Sequence, residues 1–165
     1  MRRWTARAAV LVVGAVAACT SSSEFTSPEG MRAYRTAEGV VYRADTAIME
    51  SFPVQLRPQL TIRNEGESGR TIRFPDGCIM LLRVYREESR SGSPVWDEAR
   101  TVGCTQAVQE FTVAAGDSTV IRQRTISAAE ILGDSLPPGR YYFTVVLRPD
   151  WQPLELAAGE AELAK

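Results

Sequence analysis

The chain has 165 residues, 44% of them hydrophobic, and its 19 basic and 20 acidic side chains leave a formal net charge of −1. That length allows one ordinary domain with its own core, and the balance argues against a nucleic-acid ligand, since phosphate binding draws on a basic excess. There is no histidine, which removes the usual general base, the commonest metal ligand and any Ser-His-Asp or Cys-His arrangement.

The first element is the apolar run from Ala8 to Ala18, about half the ~20 residues a spanning helix requires and therefore of signal-peptide length. Arg2, Arg3 and Arg7 give it a positive end that stays on the cytoplasmic side. Val16-Ala17-Ala18-Cys19 resembles the lipobox of bacterial lipoprotein signal peptides, which implies cleavage before Cys19 and acylation of its thiol. The alternative is an ordinary secretory cut at Ala15-Val16-Ala17 or nearby, with Cys19 left as a spare thiol. Thr20 stands where an Asp would resemble an inner-membrane retention signal, which points to the outer membrane, facing the periplasm. Residues 1–18 are thus read as signal peptide, 19–38 as a Ser/Thr-rich tether and 39–165 as the folded domain. The mature chain carries 16 basic against 20 acidic residues.

Within the domain the apolar period is two. Tyr42 and Asp45 lie in a first strand. "VQLRPQLTIRN" sets Val54, Leu56, Leu60 and Ile62 on one face, the alternation of a half-buried strand, and Pro58 within it suggests an edge strand or a bulge. After the turn "NEGESG", "RTIRF" places Ile72 and Phe74 together, and the two strands are expected to form a hairpin. "CIMLLRVYRE" is apolar on both faces at its start, as a central strand is. A polar loop leads to a short strand, "PVWDEA". "QAVQEFTV" turns Phe111 and Val113 inward, "AAGDS" reverses the chain, and "STVIRQRTI" is the expected partner. Ser127 and Glu130 stand at capping-box spacing and predict one helical turn over Ser127 to Leu132. "RYYFTVVLR" is a long central strand, with Tyr141, Phe143, Val145 and Leu147 on one face.

With Cys19 assigned to lipid, Cys78 and Cys104 are an even pair in an exported domain, where oxidising conditions favour a disulfide. Two buried thiols or a metal site are the alternatives, but two thiolates without histidine or a C-x-x-C spacing make a poor metal cage. About eight short strands with one short helical turn predict an all-β, immunoglobulin-like antiparallel β-sandwich.

From Val54 to Leu163 the segments "LTIRNEGESGRTIRFPDG", "LRVYREESRSGSPVWDEA", "QAVQEFTVAAGDS" and "LPPGRYYFTVVL" resemble, in order, those of the BsuPI-type intracellular proteinase inhibitor family. The residues that carry the likeness are Asn64, Phe74, Gly77, Val95, Trp96, Gln106, Ala107, Gly116, Asp117, Pro137, Pro138, Gly139 and Tyr141. Cys78 and Cys104 depart from it, as does "RTISAAE" where a Trp-Asp is expected. The resemblance implies an immunoglobulin-like domain that binds a protease.

The residues by themselves supply no phosphate loop, activated serine motif or metal spacing, so no catalytic residue, metal or cofactor is assigned. Asp97, Glu98, Asp117 and Glu130 read as scattered surface acids. The polar loop from Glu87 to Gly103 is the candidate interaction surface, with Arg90, Trp96 and Arg100 as anchors of the types that interfaces favour. The first reading is a lipid-anchored envelope protein whose sandwich is a non-enzymatic interaction module. Its partners are then the membrane, through Cys19, and an unidentified envelope protein, a protease among the candidates. The alternatives are a proteinase inhibitor presenting the 87–103 loop, and a small-ligand carrier or an enzyme. The sequence carries no signal for oligomeric state.

Overall fold

The computed structural model describes residues 25–27 and 30–165. Its strands are β1 (Phe25–Ser27), β2 (Gly30–Arg35), β3 (Val40–Met49), β4 (Gln55–Asn64), β5 (Arg70–Phe74) and β6 (Met80–Tyr85) in the first half. There follow β7 (Trp96–Asp97), β8 (Gln109–Val113), β9 (Ser118–Arg122), β10 (Ile126–Ser127), β11 (Gly139–Leu147) and β12 (Leu154–Leu163), with a 3-10 turn at Glu98–Arg100 and, alone among the described residues, one α-helix, α1 (Ala128–Leu132). One antiparallel sheet runs β1-β2-β3-β4, with β9 and β10 in succession along the outer side of β4, and a second runs β12-β11-β6-β7. β5 pairs with β8 as a separate ribbon. The all-β sandwich expected from the alternation is therefore what forms.

The same alternation fills the core. Leu56, Leu60 and Ile62 of β4 are fully buried, as are Tyr141, Phe143, Val145 and Leu147 of β11, and they join Leu82, Ile126 and Leu156 in one cluster. Each such side chain contributes about 1.5–3 kcal/mol by leaving water. Ile72, Phe74 and Val113 carry the β5-β8 ribbon into the same cluster, where the rings of Phe74 and Phe111 meet edge to face at 6.0 Å. β6 is buried on both sides along Met80 to Leu82, as a strand inside a packed sheet must be.

The expected pairings fail in two places. Strand 54–64 and strand 70–74 form no hairpin: β4 lies between β3 and β9/β10, and β5 crosses to β8. Likewise 118–126 does not partner 106–113, because β9 runs along β4 from Gln59↔Arg122 to Arg63↔Ser118. Asn64 explains both departures. Its fully buried amide donates from Nδ2 to the Ser68 and Val113 carbonyls at 2.8 and 3.0 Å, and Oδ1 accepts from Gly66 N at 3.0 Å. Its backbone receives the 114–117 turn through Gly116 N to Asn64 O, 2.8 Å, and Asn64 N to Asp117 O, 2.9 Å. Gly116 takes φ +73° there, a conformation glycine adopts without the usual steric cost. One residue, through its side chain and its backbone, thus sends β5 off to β8 and returns the chain to the edge of β4.

Pro58 lies inside the sheet rather than at its edge. Gln123 N donates to the Pro58 carbonyl at 3.0 Å, so the position of the missing proline N–H faces the break between β9 and β10, where no ladder bond is required of it. The stretch read as tether is in part sheet: β2 pairs with β3 from Ala33↔Arg43 to Arg35↔Val41. β12 has no counterpart among the expected strands. The Cys19 assignment falls outside the described residues.

The helical turn forms as its capping box predicts. Ser127 Oγ accepts from Glu130 N at 3.1 Å at the start of α1. The chain then enters β11 through Pro137, whose carbonyl accepts from the Tyr141 hydroxyl at 2.6 Å, the tyrosine-corner arrangement of immunoglobulin-type sandwiches. Among the described residues no helix is long and apolar enough to cross a membrane.

Cys78 and Cys104 are bonded, with Cα atoms 5.3 Å apart and a sequence separation of 26. The link ties the start of β6 to the far end of the 87–103 loop. Loop entropy assigns such a closure about 3.5 kcal/mol. Reduction, or the double Cys78→Ala and Cys104→Ala substitution, should lower the unfolding free energy by that order, and with it the urea midpoint, while circular dichroism keeps its β signature; an unchanged midpoint would show that the bond contributes nothing.

Candidate functional site

The 87–103 loop is built inward. Arg90, at φ +52°, donates from Nε to the Phe143 carbonyl at 3.1 Å and from a terminal nitrogen to the Gly159 carbonyl at 3.3 Å. These carbonyls flank the bulge where the β11-β12 register shifts between Tyr142↔Glu160 and Thr144↔Ala157. Gly159 takes φ +97° there, and the guanidinium satisfies backbone acceptors that the irregular ladder leaves open. The same group lies over the Tyr142 ring at 5.6 Å. Trp96 is half-buried, pairs with Val84 at the sheet edge and packs on the core cluster. Only Arg100, exposed at the end of the 3-10 turn, remains a surface side chain. The structure therefore does not gather Arg90, Trp96 and Arg100 into one exposed face.

Glu98, read as a surface acid, is fully buried. Asp97 caps the 3-10 turn by accepting from Ala99 N at 3.1 Å, and the turn drops Glu98 between the two sheets. Its Oε2 accepts from Leu82 N of β6 at 3.0 Å and from Gln123 Nε2 at 2.7 Å, and Oε1 accepts from Arg124 Nε at 3.2 Å. Arg124 forks onward to Glu130 of α1, at 3.0 and 2.7 Å. Hydrogen bonding to Glu130, against the cost of partial burial, holds the guanidinium above the ordinary arginine range. β7 ends after two residues, so the carboxylate takes the place of the strand that would otherwise satisfy Leu82. The sequence offers one faint sign of this node: the polar "RQR" between Ile121 and Ile126, which interrupts an apolar alternation with nothing to explain it locally.

Beside Glu98 is a half-open cleft of about 300 Å³, lined in part by Cys78, Ile79, Leu81, Val102, Ile121 and Arg122. Gln123 Oε1 is buried without a protein partner. Asp76 lies next to the disulfide, but joined sulfurs offer no thiolate to a metal. A second cleft, about 320 Å³, is bounded by Tyr42, Arg70, Arg73, Asp150 and Trp151. Trp151 stacks on Tyr34 at 5.8 Å, and burial pushes the Tyr42 phenol up to about 12. Neither cleft pairs an activated nucleophile with a base.

Asp117 and Glu130 were the other acids a catalytic reading could use. Asp117 caps its own turn by accepting from Ser118 N at 2.7 Å, and Glu130 is engaged by Arg124. They do not face each other across a cleft.

The family model described as "BsuPI: Intracellular proteinase inhibitor" matches residues 41–150, from β3 to the end of the β11 strand region. No curated protein matches the chain. Among solved structures, the β-glucosidase EmGH1 of Erythrobacter marinus is 11% identical with a TM-score of 0.39, over 85% of this chain and 18% of that one. The β-glucosidase of Kluyveromyces marxianus is 10% identical, TM-score 0.37, over 73% and 14%, and β-glucosidase 3B of Thermotoga neapolitana is 13% identical, TM-score 0.37, over 75% and 17%. This chain spans less than a fifth of each enzyme, and likenesses of that size carry no argument about activity.

Glu98→Ala should cost about 2–4 kcal/mol, because it leaves the Leu82 N–H and the Gln123 and Arg124 donors without their shared acceptor. Glu98→Gln keeps one acceptor oxygen and should lose less. Denaturant unfolding of the two variants checks the order; equal losses would mean that the oxygen kept in Glu98→Gln contributes nothing without the charge.

Proposed function

Because the chain belongs to the BsuPI family of intracellular proteinase inhibitors, we propose that it is a proteinase inhibitor that acts by surface recognition, exported and held in the envelope by lipid on Cys19. The observation that carries the inhibitor reading is the family match, which takes in strands of both sheets and the latches at Asn64, Glu98 and Tyr141. A domain tied together by buried polar contacts and a disulfide presents its turns rigidly, and rigid presentation lowers the entropy cost of binding. The export reading rests on the apolar run, the three arginines and the Val16-Ala17-Ala18-Cys19 sequence. A disulfide between the remaining cysteines suits an oxidising compartment, although the family's description says intracellular. The 87–103 loop, turned inward by Arg90, Trp96 and Glu98, is a poor inhibitory segment, and contact through another turn fits better.

Two experiments test this reading. Titrated against a panel of serine, cysteine and metalloproteinases, the purified chain should suppress at least one at near-stoichiometric ratio and survive the incubation intact; no suppression in any class removes the inhibitor reading. Separately, Cys19→Ser should abolish labelling by a palmitate analogue and shift the protein out of the membrane fraction. A variant that partitions as the wild type does would show that Cys19 is not the anchor.

A further inference from the structure

The turn between β3 and β4 reads Glu50-Ser51-Phe52-Pro53-Val54 and carries a concentration of apolar exposure. Phe52 is 82% exposed, and Met49 and Ile48, just before the turn, are 44% and 38% exposed. Single exposed apolar side chains on a soluble surface call for no explanation, but three at the tip of one hairpin mark a contact site. The tip is braced. Ser51 N donates to the Met49 carbonyl at 2.8 Å, and the Pro53 carbonyl accepts from Ser51 Oγ at 2.9 Å and Gln55 Nε2 at 3.2 Å. None of these bonds engages the Phe52 ring, which projects from a fixed backbone.

We propose that this turn is the segment the protein inserts into a proteinase, with Phe52 filling a primary specificity pocket that accepts large aromatic or apolar side chains. The proposal rests on the inhibitor reading above and names its contact. An aromatic ring offers a large apolar area at the cost of only two side-chain torsions, which is why such residues dominate the centres of tight interfaces. The bond after Phe52 runs to Pro53, whose nitrogen carries no proton. The turn therefore presents a pocket-filling side chain without the ordinary secondary amide that a proteinase cleaves, which suits a plug rather than a substrate. Glu50 beside it favours a pocket whose rim is not acidic.

The test uses the full chain with its disulfide intact. Wild type, Phe52→Ala and Phe52→Arg are assayed for Ki against proteinases that select aromatic residues and against those that select basic ones, with urea midpoints and binding to anionic vesicles measured alongside. Because Phe52 packs on so little, all three should share one midpoint. Phe52→Ala should weaken inhibition about a hundredfold, the size of a strong interface anchor, and Phe52→Arg should move inhibition toward the proteinases that select basic residues. If wild type inhibits and both variants inhibit equally well, the tip is not the contact while the inhibitor reading stands. If the substitutions change vesicle binding and leave Ki alone, the tip is a membrane contact and the proposal is overturned. If wild type inhibits nothing, the inhibitor reading fails and this proposal fails with it.

Discussion

The carboxylate of Glu98 is the contact on which the closure of this sandwich depends. It sits where β7 has ended and β6 continues, so a backbone N–H of one sheet would otherwise face a gap. An isolated buried carboxylate is costly, and burial is tolerated only when donors converge on it. Here they come from both layers: Leu82 N from the β6 sheet, and Gln123 and Arg124 from the link between β9 and β10. Arg124 passes the connection to Glu130 on α1. A single side chain thus couples the long loop, the edge of one sheet, the broken outer strand of the other and the helix. Charge-assisted bonds are shorter and stronger than neutral ones, which suits a position where four segments must be held by one acceptor group.

The same device recurs at other interruptions of the ladders. Asn64 directs β4 toward β5 and receives the turn between β8 and β9. Arg90 plugs the bulge that lets β12 follow β11. Tyr141 closes the corner between α1 and β11. In each case a polar side chain satisfies backbone groups that an interrupted ladder leaves unpaired, and unpaired buried backbone groups are what irregular β structure must avoid. The apolar alternation makes the layers cohesive but indifferent to strand order. These four polar contacts choose one order.

That division explains what could be read from the sequence. Alternation, the capping box at Ser127 and the even cysteines are local or pairwise signals, and the strands, the helical turn and the disulfide were legible from them. Pairing was not: period two reports that Leu56, Leu60 and Ile62 share a face, and it is silent on whether the neighbour is β3, β5 or β9. β12 was illegible for a different reason, since "LELAAGEAEL" is made of strong helix formers and becomes a strand only because β11 offers it an edge. Glu98 and Arg90 were misread because a charged residue in a polar loop is ordinarily solvated, and burial of such a group is decided by donors far away in the chain. The exposed turn at Phe52 drew no notice because two residues of "FP" between strands read as punctuation. A ring is recognisable as exposed only once its surroundings are placed.

The arrangement of edges then limits where such a protein can recognise another. The edge beyond β6 is capped by β7 and, past it, by the Glu98 carboxylate, and the outer strand beside β4 is broken opposite Pro58, which itself offers no donor. On the remaining flank β12 lies against β2 and β3. Sheet edges managed in this way resist strand addition by a partner, so partner binding through a shared ladder is disfavoured at these three flanks. The turns at the ends of the sandwich, held in place by the polar latches and backed by the core, offer side chains in place of a ladder. A turn braced by its own hydrogen bonds, with its largest apolar side chain left in solvent, is the kind of feature such a scaffold can present at little conformational cost.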